Sequence, residues 1–147
     1  MYKQDEQAYH QLNKFVGTWN TAALIPSSDN NPEVKIKGTD RYEWITDGFF
    51  LLHTADVMIG TDNSKTHEII GYDKLNHHYT MQYYNNKGNS GLMIAKLDDG
   101  LWTFSGDDLR FKGGFNENED VFSGVWEQFT ANKIWTHLMD IKLSKKH

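Results

Sequence analysis

Two of the seven histidines, His53 and His137, stand on stretches that alternate like β-strands and fall among apolar residues. His137 lies in the last such stretch, Lys133 to Lys145, which reads K-I-W-T-H-L-M-D-I-K-L-S-K. Successive strand side chains point to opposite faces, so Trp135, His137, Met139, Ile141 and Leu143 share one face and Ile134, Thr136, Leu138, Asp140 and Lys142 the other. The face without Asp140 and Lys142 is the expected inner one, which turns His137 inward. The same alternation places His53 inward in F-F-L-L-H-T-A-D-V-M. An imidazole in a dry pocket can ligate haem iron, hydrogen-bond a ligand or act as a base. The plainer alternative is a histidine satisfied by a tyrosine hydroxyl or a buried water.

Other chemistry-bearing residues read more plainly. His77 and His78 are adjacent, so on a strand they face opposite ways and cannot chelate one metal together. His10, His67 and His147 are expected at the surface. Asp98-Asp99, Asp107-Asp108 and Glu117-Glu119 fit solvated loop tips, and Asp73 fits a turn cap. Asp56 falls on the face opposite His53, so the two do not pair along one strand. Arg41 and Arg110, the only arginines, are expected at the surface, with the barrel mouth as the alternative. No G-x-S-x-G, Walker loop, G-x-G-x-x-G, H-E-x-x-H or EF-hand loop occurs.

The elements that must position these residues are short and regular. Residues 3–14 carry the one helical pattern, with Ala8, Leu12, Phe15 and Val16 on a common face. The period then switches to two over 15–145. Nine turn-rich clusters, at 27–32, 46–48, 60–64, 73–76, 85–89, 98–100, 105–108, 113–118 and 130–133, divide this part into ten strands without crossover helices. Gly113-Gly114 reads as a bend in a curved strand. The expected fold is all-β: an antiparallel up-and-down barrel of about ten strands behind one N-terminal helix, spanning residues 1–147 as one domain. Closure removes the two exposed edges of an open sheet, and an even strand count lets the first and last strands pair antiparallel.

Keeping charges outside yields an inward set of Trp19, Tyr42, Trp44, His53, Tyr79, Met81, Tyr83, Trp102, Phe104, Phe111, Trp126, Trp135, His137 and Met139. The five Trp, seven Tyr and eight Phe suit half-buried strands, and such residues also line small-molecule pockets. A formal net charge of -5 opposes a phosphate grip, so nucleic acid is not an expected partner. No apolar run is long enough to span a bilayer, and the charged N-terminus has no signal-like apolar core, which points to the cytoplasm. Without cysteine there is no disulfide framework or thiol chemistry.

A short helix followed by Gly17-Thr18-Trp19 resembles the opening of calycin barrels, the group of lipocalins, fatty-acid-binding proteins and nitrobindins. Four features together look like one bacterial family of unknown function within that group. They are the G-T-W start, W-I-T-D-G-F-F at 44–50, I-I-G-Y-D at 69–73 and M-D-I-K-L at 139–143. The resemblance runs from about Leu12 to Lys145 and implies a fold but no reaction. Nitrobindin binds haem through a histidine close to its C-terminus, and His137-Leu138 is similar in position. The chain departs from the nitrobindin pattern G-x-W-x-G-x-G, with Thr21 and Ala23 where glycines would stand.

The expected function is non-enzymatic binding of a small apolar or aromatic molecule in an aromatic-lined lumen, with no resident cofactor or metal and with a homodimer compatible with the chain. The inward set, Phe111 aside, supplies the ligand-binding residues, with His53 or His137 as polar anchors. The alternatives are haem held by His137 and an enzyme using lumen His and Tyr as an acid-base pair.

Overall fold

The computed structural model describes residues 3–147, so the first two residues of the expected domain lie outside it. Helix α1 (Lys3–Asn13) leads into ten strands: β1 (Gly17–Ile25), β2 (Val34–Ile45), β3 (Phe50–Ile59), β4 (Asp62–Asp73), β5 (His78–Asn85), β6 (Ser90–Asp98), β7 (Leu101–Ser105), β8 (Leu109–Phe115), β9 (Val121–Phe129) and β10 (Trp135–Lys145). Each strand pairs antiparallel with its sequence neighbours, and β1 pairs with β10 to close the barrel. All nine expected turns fall between strands or at their ends, as the clustering of Gly, Asn and Asp requires.

Strand direction gives the barrel two different ends. One end carries α1 as a plug. Ala8, Leu12 and Phe15 are buried there, with Leu12 only 1 % exposed. Phe15 packs its ring against Tyr42, Trp102, Phe115 and Phe122 at centroid distances of 4.8–5.3 Å. Burial of a side chain the size of Leu12 or Leu51 contributes about 1.5–3 kcal/mol. Three hydrogen bonds fix the plug: Trp19 Nε1 donates to Phe15 O (2.8 Å), Tyr79 Oη to Ala8 O (3.1 Å) and Trp44 Nε1 to Asn13 Oδ1 (2.8 Å). Trp44→Phe removes the last of these and is expected to cost about 1 kcal/mol, read as a lower midpoint in chemical denaturation.

Phe111 explains Gly113 of β8 and Gly124 of β9. Gly113 and Gly124 face each other across the ladder, and a Cβ on either would lie 2.6–2.7 Å from the Phe111 ring. It would also come within 2.2–2.3 Å of a carbonyl oxygen on the partner strand. Only glycine allows this approach of ring and backbone.

The structure corrects one expected face. Along β10, His137 pairs with Glu127 and Met139 with Trp126, so Leu138 is an extra, unpaired residue. A bulge of this kind breaks the alternation, and side chains on its two sides no longer share a face. Met139, Ile141 and Leu143 keep the inward face, while Trp135 and His137 lie on the outer surface. His137 is 44 % exposed with Nε2 3.1 Å from Asp140 Oδ1. Trp135 is covered by the Arg110 guanidinium at 4.3 Å from its ring centroid and by Phe129. Arg110 also donates to Glu127 Oε1 (2.8 Å), completing an outer cluster.

Candidate functional site

His53 is the histidine that faces the interior, and its partners come from the strands on either side. Tyr42 of β2 and Glu68 of β4 are its cross-strand neighbours, and Asp40 lies two residues along β2 from Tyr42, on the same face. Asp40 and Glu68 are each 7 % exposed. The imidazole is held from both sides, with Nε2 2.6 Å from Asp40 Oδ1 and Nδ1 2.9 Å from Glu68 Oε1. Its ring lies flat on Tyr42, 4.1 Å between centroids and 8° between planes. The Thr21 hydroxyl of β1 donates to Asp40 Oδ2. Four adjacent strands thus assemble a buried polar cluster of Thr21, Asp40, His53 and Glu68 against the Tyr42 ring.

Burial acts to lower the basicity of His53, but the hydrogen bonds and charges of Asp40 and Glu68 outweigh it and raise the pKa from 6.5 to about 9. His53 is therefore an imidazolium at neutral pH, with both ring nitrogens donating. Burial, followed by the Asp40 and Glu68 charges, pushes the Tyr42 phenol well above its usual value. Tyr42 stays neutral and acts as a platform, not a base.

The cluster divides the interior. Towards α1, Tyr42, Tyr79, Met81, Trp102 and Phe104 surround a gap of about 10 Å³. That is about the space of one water. Trp19 has no exposure at all, and Trp44 is engaged with the helix. These aromatics fill the barrel. Away from α1, Glu68, Tyr83, Met93, Leu109 and Trp126 line a cavity of about 470 Å³ together with Asp107 and Asp108 of the β7–β8 turn. Glu68 belongs to both the cluster and this cavity. A second hollow, about 610 Å³, lies on the outer sheet surface around Lys96, Thr103, Ser105, Arg110, Lys112 and Glu127. It borders no part of the buried cluster.

Of the expected ligand-binding residues, Tyr83 and Trp126 border the larger interior cavity, His53 stands one residue behind it, and Met139 is half-buried on the inner face of β10. Trp135 and His137 are outside. Sequence reasoning missed Asp40, Glu68 and Thr21. Alternation held the signal: if Tyr42 and Trp44 face inward so does Asp40, and if Ile70 faces inward so does Glu68. The rule of keeping charges outside suppressed it. Among the described residues, no group of three or more His, Asp or Glu side chains is arranged to hold a metal ion.

Fold and site together define a closed ten-stranded antiparallel barrel, plugged by a helix and carrying a charged cluster inside. Residues 4–113 match the model of a family described as "Protein of unknown function (DUF1579)", and the chain belongs to that family. Thr21, Asp40, His53 and Glu68 all fall within the matched segment. Among solved structures, the chain is similar to the crystal structure of Rv2717c from M. tuberculosis, with a TM-score of 0.68 at 7 % identity over 95 % of this chain and 98 % of that one. That likeness concerns the fold. No curated protein matches the chain.

Proposed function

We propose that this protein is a calycin-like binding barrel that takes a small, largely apolar or aromatic molecule into the end of the barrel away from α1. The observation that carries the reading is the cavity of about 470 Å³ bordered by Tyr83, Met93, Leu109 and Trp126, with the buried Glu68 carboxylate on its wall. These aromatic and aliphatic side chains share the lining with the polar Thr66, Asn85, Ser90, Asp107 and Asp108, and an apolar wall with polar groups to fix orientation is the make-up of a small-molecule site. Acid-base catalysis by His53 fits less well, because both ring nitrogens are engaged by carboxylates. Haem ligation by His137 would have to occur on the outer surface, where that residue lies.

The test uses thioflavin T and its neutral analogue lacking the ring N-methyl group, both slender aromatic dyes. At least one is expected to bind saturably with one-to-one stoichiometry. Leu109→Trp, which fills the cavity, should weaken that binding about tenfold or more while the protein stays folded by circular dichroism. Absence of saturable binding by either dye, or binding indifferent to Leu109→Trp in the folded variant, would remove the proposal.

A further inference from the structure

We infer that the ligand of this cavity carries a positive charge, an amine or a quaternary ammonium on an apolar body, and seats that charge beside Glu68. The inference rests on the binding reading above and adds the chemistry of the head group.

Three acidic side chains, Glu68, Asp107 and Asp108, line the cavity, and no lysine or arginine does. Asp107 and Asp108 sit in the β7–β8 turn at the rim, where water screens them. Glu68 is the telling one. It is 7 % exposed, and among the described residues Oε1 accepts from His53 Nδ1 while Oε2 has no protein donor. His53 carries one positive charge against two carboxylates, so Asp40, His53 and Glu68 together hold a net charge of -1. No side-chain oxygen buried from water lacks a partner among the described residues, so Oε2 opens onto the cavity, where a cationic donor can replace water beside the carboxylate.

Aromatic walls supply the second half of the argument. Tyr83 lies over Gly91, so closely that a Cβ there would stand 2.7 Å from its hydroxyl oxygen. Trp126 is backed by Phe111 and Phe104 at 5.2 and 6.2 Å between centroids. Both border the same cavity as Glu68. Held aromatic rings beside a carboxylate are the arrangement that recognises ammonium groups, through ring faces and charge together. The volume admits a drug-sized apolar body behind the head group.

Thioflavin T is cationic and its analogue without the N-methyl group is neutral, with nearly the same shape. The intact chain is expected to bind the cation about tenfold more tightly at low salt, a preference that shrinks as salt is raised. Glu68→Gln, which keeps the shape and a partner for His53, should abolish most of that preference. Asp107→Asn with Asp108→Asn, on an exposed turn that leaves the buried cluster intact, should reduce it only a few-fold. Should Glu68→Gln fail to fold, Trp126→Leu takes its place and should lower the preference by weakening the aromatic wall. Equal or tighter binding of the neutral dye to the intact chain overturns the inference while leaving the binding proposal standing. A preference unchanged in folded Glu68→Gln, or in folded Trp126→Leu where that replaces it, overturns it as well. If neither dye binds, the binding reading itself falls.

Discussion

Asp40→Ala is expected to destabilise the barrel by about 3–5 kcal/mol, the usual cost of removing one member of a buried, hydrogen-bonded charge cluster. The substitution strips His53 Nε2 of its acceptor at 2.6 Å and leaves the Thr21 hydroxyl without the carboxylate it donates to. Glu68 is then the one carboxylate left to hold the imidazolium. Chemical denaturation of the intact and substituted chains measures the difference; a loss under about 1 kcal/mol, the scale of one neutral hydrogen bond, would contradict a charged cluster. Replacing Asp40, His53 and Glu68 together by apolar residues of similar volume is expected to be close to neutral, since a buried ion cluster seldom outperforms apolar packing. On that outcome the cluster does not owe its place to stability, which fits a role at the proposed binding cavity.

The second large effect is a pH dependence. The folded pKa of His53 is about 9 against 6.5 for a free imidazole. Because the folded value is the higher one, its stabilisation is complete below about pH 6.5, declines as pH rises, and is gone above about pH 9. The size of this contribution is on the order of 3 kcal/mol. His53→Gln removes the titrating group, so the stability difference between the intact chain and this variant should shrink by that amount across the window. A difference that stays flat between those limits would mean that His53 is not charged in the folded state.

Much of the fold was legible because a hairpin meander is written in local signals. Gly, Asn and Asp mark each turn, the period of two marks each strand, and Ala8, Leu12 and Phe15 mark the one helix that plugs an end. The site was less legible, for two physical reasons. Alternation carries a face assignment only until a bulge, and the extra Leu138 reversed Trp135 and His137. Leu138 was itself a hint, as an apolar residue between Thr136 and Asp140 on the face read as outer. The second reason is that charges stay outside only when they are unpaired. Asp40, His53 and Glu68 come from three strands, and their mutual compensation exists only once the registers of β2, β3 and β4 are set.

Filling and lining also look alike in a sequence. Tyr42, Tyr79, Trp102 and Phe104 point inward as Tyr83 and Trp126 do. Yet the first four close on one another beneath α1, and the last two border open space. The difference depends on where the helix inserts, which strand periodicity does not record.

Side-chain-resolved NMR of His53, following its ring nitrogens through a pH titration, tests the central feature most directly. Two protonated ring nitrogens at neutral pH and a midpoint near 9 are the predicted result, with the signal lost in His53→Gln. A neutral ring at neutral pH, or a midpoint at or below 6.5, would contradict a barrel whose interior is built around an imidazolium between two carboxylates.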